Sequence, residues 1–404
     1  VPRTTRSPLP AQCLVYVAFA MPVAMFGAAW PEVRGDFGRP ASALGVLAGA
    51  YGVARLSTSA SALVVLSRIG PRAATAGLCL VLAAADLAAA FNRDFSVLLA
   101  ALVVAGLATG ALDSLGIRYQ TAVRDVASAG LMFGSYGIGA ALGPAVVATT
   151  SWTAGFSLAA ALALVAAAAA GIPGLTWPAD LAVTEARAGR DATAKVGPLV
   201  LSLSLFALYC GIEVVASSWG STWLDEHRGA PARTAGLAIS GFWAGMTFGR
   251  LFLGRLPVRP SRILRGGGVV TLGVLAAMAV LPTGAASVAF VALGFGVAVM
   301  FPTLTSTTAE RVGRAAAGRV GGWQLLTAAL AEAALAALVG ALVAAVGPVA
   351  PMVTMLPLAV LGLPLVWRAT LLRAADDQRA AAIRVDTVST TTTPTTPHGP
   401  NRSP

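Results

Sequence analysis

Asp113 and Glu213 carry the most chemical consequence in this sequence, because each is the sole charge of a long apolar run. Residues 95–117 hold no other charge than Asp113, and residues 198–224 none other than Glu213. A charge at the centre of a membrane helix costs about 2.5–3.5 kcal/mol on insertion scales. A carboxylate kept there lines a polar cavity, pairs with a cation, or carries a proton. Arg55, in the run 41–66, is the cation at hand for Asp113. It precedes Arg68 by 13 residues, and Asp113 precedes Arg124 by 11. The two segments run in the same direction, so at about 1.5 Å per residue these side chains sit within about one turn of a common depth. The pair reads either as a proton- or substrate-coupling site or as a static bridge between helices.

Glu213 has no basic residue in its own run. Tyr209, four residues earlier, shares its face, and Gly211, Ser217, Ser218, Trp219 and Trp223 surround it. An acid without a cation among aromatic walls suits a hydrogen-bond partner for a polar or cationic ligand; the alternative is a neutral Glu bonded to a neighbouring backbone. Glu332 is expected to face Gln324, two turns earlier, or an arginine from the run 234–256, mainly as packing. Asp86 is expected at the outer interface with a structural role. Arg118 could neutralise a substrate anion near the expected cytoplasmic mouth, or equally anchor by snorkelling. Tyr136 and Trp152 read as packing or interface residues rather than ligand contacts.

The elements that must hold these side chains are membrane helices. Of 404 residues, 57% are hydrophobic and 11% charged, and the mean hydropathy is +0.78. Soluble domains average about 25% charged residues. A helix needs about 20 apolar residues to cross the hydrocarbon core. Twelve such runs are expected, near 11–31, 41–66, 73–91, 95–117, 129–150, 153–175, 198–222, 234–256, 266–283, 286–308, 320–346 and 348–368. With both termini on the cytoplasmic side, inner segments hold 22 Arg/Lys and outer loops only five. That asymmetry sets the expected orientation in a plasma (inner) membrane. Arg3 and Arg6 before an apolar run resemble a secretory signal, but with further spans following, a retained first helix is expected.

The polar stretch 176–197 divides the chain into an N-terminal bundle (1–175) and a C-terminal bundle (198–370), each of six spans, followed by a tail (371–404) expected to be disordered. A weak internal repeat supports this division. Ala54-Arg55-Leu56 matches Gly249-Arg250-Leu251 at an offset of 195, and Gly106 and Gly110 match Gly294 and Gly296 near an offset of 188.

Several function classes are disfavoured. The net charge of +11 lies in short loops without interleaved aromatics, unlike a nucleic-acid interface. Cys13, Cys79 and Cys210 lie in separate spans and suggest neither a disulfide framework nor a metal site. His227 and His398 fall in a loop and the tail, so no intramembrane histidine relay is expected. A membrane enzyme would need clustered acids or an activated nucleophile, and the embedded acids stand singly. No cofactor is expected; the expected partners are a small-molecule substrate, protons and membrane lipid around a monomer.

Arg68-Ile69-Gly70-Pro71-Arg72 resembles the end of the signature loop of the major facilitator superfamily, with Leu63 and Ser67 departing at its Gly and Asp positions. Gly130, Gly139, Gly143 and Pro144 resemble the first part of that superfamily's antiporter motif, whose closing glycines are replaced by Val147 and Ala148. Gly110-Ala-Leu-Asp113-Ser, Tyr209-Cys-Gly211-Ile-Glu213 with Trp219, Gly241 to Arg250, and Phe301-Pro302-Thr303 are similar to the fucose–proton symporter-like branch. That branch usually carries Asn four residues after the Asp, where this chain has Ile117. The resemblance covers roughly residues 11–370. It implies an all-α membrane protein of twelve helices in two six-helix bundles, and a secondary transporter working by alternating access. Proton coupling and efflux of a small organic solute are the expectation, with proton-driven import of a sugar-like or polar metabolite as the alternative and a non-transporting receptor or scaffold as a remote one. Asp113, Glu213 and Arg55 are the expected coupling or substrate residues. Arg118, Tyr209, Trp219, Gln324 and Glu332 are expected to line the cavity. Arg68, Gly70, Arg72, Gly130, Gly139, Gly143, Pro144, Gly249 and Arg250 are expected in gating and packing, the glycines of the fifth span letting it approach the eighth.

Overall fold

The computed structural model describes residues 7–123, 126–178, 195–253 and 257–390. Helix follows helix, with no strand among the described residues. This is the physics of hydrocarbon, where every backbone polar group must be satisfied within its own segment. The N-terminal bundle comprises α1 (Leu9–Asp36), α2 (Ala43–Phe91), α3 (Phe95–Val123), α4 (Val126–Thr149) and α5 (Trp152–Ala170). The C-terminal bundle begins with α6 (Val196–Thr222), which ends in a π-helical turn at Trp223–His227. It continues with α7 (Ala232–Leu253), α8 (Pro260–Val280), α9 (Thr283–Ala298), α10 (Met300–Ser306), α11 (Thr308–Val312), α12 (Arg314–Val346) and α13 (Ala350–Thr390).

Ten helices among the described residues are long and apolar enough to cross a membrane. The other two of the expected twelve crossings are the first arm of α2, which carries Arg55, and α7, which carries Arg233 and Arg250. The second and third expected spans are two helical arms that follow one another within α2, parted by a sharp kink rather than a longer loop. Gly70 makes the bend at φ 76° and ψ 162°, a region open essentially to glycine alone. Pro71 then opens the second arm, where its missing N–H leaves nothing unsatisfied.

The tenth expected span is broken into α9, α10 and α11. Pro302 removes a donor from the ladder. Beyond it the Thr307 and Thr308 hydroxyls donate to the carbonyls of Thr303 and Leu304 at 2.6 and 3.0 Å, competing with helical continuation. At the far end of the chain, α13 runs to Thr390, past the boundary at 370, because residues 371–386 are rich in the strong helix formers Ala, Arg and Leu. Residues 391–404 and most of the central stretch (179–194) lie outside the described residues, as does the side chain of Arg68.

With each expected span counted as one crossing, the start of α1 and the end of the last span fall on one side of the molecule, called here the terminal side. The two bundles meet most intimately toward the opposite side. A Cβ on Gly27 of α1 would stand 2.5 Å from the Ser217 and Ser218 carbonyl oxygens of α6, and the Ser221 hydroxyl donates to the Gly27 carbonyl. On α2, a Cβ on Gly45 would lie 2.9 Å from the Cα of Gly340, and one on Gly52 would lie 2.7 Å from the Cβ of Ala333, both partners on α12. Arg34 and Glu226 add an ion pair at 3.1 Å across the same side. At Gly321 and Gly322, on the terminal half of α12, no atom comes within 4 Å of a built Cβ. The α1–α6 and α2–α12 seams are thus closed on the side away from the chain ends.

Candidate functional site

Small residues bring the first charges together. A Cβ on Gly106 would lie 2.6 Å from the Tyr51 carbonyl oxygen, and one on Gly110 would collide with the Arg55 carbonyl. Backbone contact of this kind is how membrane helices pack through glycine. It sets Asp113, three residues beyond Gly110, beside the Arg55 side chain.

Arg55 then reaches in two directions. Its Nη2 donates to Asp113 Oδ2 at 2.9 Å within the N-terminal bundle, and its Nη1 donates to Glu332 Oε2 at 3.3 Å on α12 of the C-terminal bundle. The guanidinium therefore spans the interface between the halves. On the other flank Arg250 Nη2 lies 3.5 Å from Glu213 Oε2. Glu332 lies within electrostatic range of Arg55, Glu213, Asp113 and Arg250, joining the two pairs into one cluster. The five side chains are between 18% and 31% exposed. They are neither sealed in dry packing nor turned away from the interface.

Three expectations are corrected here. Glu213 is not without a cation, because Arg250, expected in gating, comes across from α7. Glu332 meets neither Gln324 nor an arginine of the eighth span; it meets Arg55, since α12 lies along α2 and faces the opposite bundle. Asp86 does not reach the interface with solvent: it is 1% exposed, and neither carboxylate oxygen has a hydrogen-bond partner.

Trp219 is fully buried and donates its indole N–H to the Ala336 carbonyl at 3.1 Å, which ties α6 to α12 within one bundle. Gln324 is also interior. Its amide donates to Ser202 Oγ at 2.6 Å and its carbonyl accepts from Thr308 Oγ1 at 3.1 Å, in a buried network with Arg311. Tyr209 is 3% exposed with its ring against Gly268 and Gly362. With Phe206, Cys210, Met300 and Phe301 it lines a small cavity next to Glu213. Arg118 is half-buried and is not among the charges acting on Glu213 or Glu332.

The glycines expected to bring the fifth span to the eighth serve another contact. Cβ atoms on Gly139 and Gly143 would strike the Val17 and Met21 carbonyls of α1, while Gly130 has nothing within 4 Å. The contact of α4 with α7 is made instead by Gly137 against Thr247, by Gly236 against Ala148 and the Pro144 carbonyl, and by a 2.6 Å hydrogen bond from Ser240 Oγ to the Ala141 carbonyl. Gly249 packs on Ala298 of α9. Gly70 forms the bend of α2, and Arg72 donates to the Gly171 carbonyl of the same bundle.

Aromatic residues near the charges were the least foreseen. Tyr16 and Tyr51 lie in the field of Arg55 and Asp113, and Tyr136 in that of Arg55, Glu213 and Glu332. Tyr136 meets Trp243 edge to face across the halves, with ring centroids 5.8 Å apart. The available signal for Arg250 was the repeat that matched it to Arg55. Nothing in spacing singled out the tyrosines.

A search of curated protein sequences finds no match. Solved structures of similar fold include a point mutant of the nucleoside transporter NupG, with a TM-score of 0.69 and 16% identity over 90% of this chain and 99% of that one. Another is a bacterial homolog of the human lysosomal transporter Spinster in an inward-facing and occupied conformation, with a TM-score of 0.65 and 12% identity over 92% and 96%. A family model of the Major Facilitator Superfamily matches residues 12–334. The chain therefore belongs to the Major Facilitator Superfamily, as a multi-pass membrane transporter of small molecules and not an enzyme.

Proposed function

We propose that this transporter is proton-coupled and works by alternating access as a monomer, with Asp113, Glu213, Glu332, Arg55 and Arg250 as its coupling site. The observation that carries this reading is Arg55 bound at once to Asp113 in one half and to Glu332 in the other. Relative motion of the halves must stretch or break one of those pairs. A carboxylate released from its cation in a low-dielectric site is easily protonated, so opening and proton loading are physically tied.

Efflux of a small organic solute is the favoured direction. Supporting it are the part-match to the antiporter motif and the apolar, alanine-rich helices around the cluster. The terminal side is read as cytoplasmic and the membrane as the plasma membrane, on the arginine asymmetry of the loops. The alternative is import of a sugar-like or polar metabolite, for which the sequence around Asp113 and Glu213 speaks through its similarity to the fucose–proton symporter-like branch.

Everted vesicles distinguish the two. For an exporter, adding its solute to vesicles energised with an acid interior discharges the proton gradient; for an importer, the solute alkalinises the medium of intact cells. A panel containing ethidium, fucose and uridine covers the cargo kinds at issue, uridine because one similar fold is described as a nucleoside transporter. Asp113→Asn should abolish gradient-driven accumulation while leaving exchange partly intact. Unchanged pH-dependent transport in that variant would make the Arg55–Asp113 pair a static brace.

A further inference from the structure

We infer that α8 and α13 hold an anionic phospholipid on the terminal side, its phosphate met by Arg259, Arg262 and Arg265 and an acyl chain laid along the outer face of α8. The site lies on the surface of the C-terminal bundle, apart from the charged cluster, and needs nothing from the proton-coupled reading.

The arginines come first. Residues 227–309 and 333–375 contain no Asp or Glu, so both helices bring basic residues to the terminal side without acids of their own to neutralise them. Arg259 is the N-cap of α8 and Arg262 follows one turn on. Both are exposed, and among the described residues neither side chain forms a hydrogen bond or an ion pair. Arg265, a further turn on, is anchored. Its Nε donates to Thr370 Oγ1 at 2.8 Å, and its guanidinium carbon lies 5.3 Å from the centre of the Trp367 ring on α13. Its two Nη groups keep their donors, with no protein acceptor among the described residues. Three guanidiniums a turn apart thus present the forked donors that suit phosphate.

Beyond them the same face turns apolar. Helix positions three, four and seven apart share a face, which sets Gly266, Val269, Val270 and Gly273 in line with Arg259 and Arg262. The two valines are exposed, and a Cβ built on either glycine meets no atom within 4 Å. The glycines therefore leave a shallow trough along the outward side of α8. Trp367 is 38% exposed and stands level with Arg265, as indoles do where headgroups meet hydrocarbon.

Charge and polarity together select the occupant. A headgroup phosphate needs donors at the interface, and its acyl chain needs an apolar track leading inward from them. This face supplies both in that order. A second copy of the chain, in a two-fold contact, would set the same arginines against each other. A zwitterionic lipid would offset its phosphate with its own ammonium.

The test uses the full-length chain in phosphatidylcholine vesicles, with a brominated phospholipid as a contact quencher of tryptophan. Subtracting a Trp367→Phe blank, made for each variant, isolates this site's signal among the eight tryptophans. Brominated phosphatidylglycerol should reach half-quenching at a lower mole fraction than brominated phosphatidylcholine. Each arginine near the headgroups is worth about a fivefold preference. Arg262→Gln should therefore raise that mole fraction about fivefold, and Arg259→Gln/Arg262→Gln should raise it further. Both variants keep the Arg265 contact with α13, and an unchanged melting temperature in detergent shows them folded. Gly266→Leu, whose added atoms meet no protein neighbour at Cβ, should obstruct the acyl chain and reduce quenching by phosphatidylglycerol. Equal quenching by the two lipids in the parent chain means an unselective lipid shell and overturns the inference. So does a preference that survives Arg259→Gln/Arg262→Gln, or one that Gly266→Leu leaves untouched.

Discussion

Gly27→Ala would add a single methyl group where α1 touches α6, and the geometry sets its cost. The new Cβ would stand 2.5 Å from two backbone carbonyl oxygens and 2.6 Å from the Cα of Ser218, against 3.4 Å for ordinary contact. Every obstructing atom is backbone, so no side chain can rotate away and the helices must part by about 0.9 Å. Overpacking of this kind costs about 1–3 kcal/mol. If the contact exists only when the far side is closed, that cost falls on one conformation alone and shifts the equilibrium about 5- to 150-fold toward the open one. Ser221→Cys supplies the reporter, because Ser221 is fully buried in the same seam. Its hydrogen bond to Gly27 is then absent from both arms, so only the overlap is compared. A membrane-impermeant maleimide applied to intact cells should label Ser221→Cys slowly and the Gly27→Ala/Ser221→Cys chain faster by that factor. The parent chain reports background from Cys13, Cys79 and Cys210. Equal labelling rates in two well-folded variants would show that this seam does not hold the far side shut.

Three further outcomes follow from the same contacts. Arg250→Ala leaves Glu213 without its cation; breaking a buried pair costs about 3–5 kcal/mol, but partial exposure and the 3.5 Å separation reduce this to about 1–2 kcal/mol. A lower melting temperature that Glu213→Gln restores would bear this out, and a loss that Glu213→Gln does not relieve would contradict it. Combining Arg55→Ala with Glu332→Gln should give a coupling energy of about 0.5–3 kcal/mol in a double-mutant cycle read on proton-driven flux; strict additivity would mean that the 3.3 Å contact between the halves is inert. Gln324→Leu removes one partner each from the Ser202 and Thr308 hydroxyls, which keep Arg311 and the Leu304 carbonyl, at a cost of about 0.5–1.5 kcal/mol, so the melting temperature should fall while cargo KM is unchanged; a KM effect would return Gln324 to the cavity.

The fold was legible because crossing a membrane writes a long apolar signature. Most expected spans coincide with a helix, and Arg55 and Asp113 came out at a common depth because rise per residue is uniform. The site was legible only within a half. Arg55–Asp113 joins helices whose relative depth could be counted from loop arginines, whereas Arg55–Glu332 depends on which face of α12 turns toward α2, which no span boundary encodes. The repeat pointed to Arg250 but not to its partner. The residue 188 beyond Asp113 is Phe301, and the second acid comes from α6 instead. Trp219 and Gln324 misled for the reverse reason: a polar or aromatic residue near a candidate site serves equally well to satisfy hydrogen bonds inside a bundle.

The bend at Gly70 bears on biogenesis. With only the kink at Gly70 between its two arms, α2 is expected to settle in the lipid as a helical hairpin whose arms depend on the turn between them. Any side chain at position 70 strains the backbone by about 1–3 kcal/mol before either arm has found its neighbours. Damage from such a substitution would therefore appear as chain that is degraded during insertion, while the molecules that do mature turn over their cargo at the normal rate.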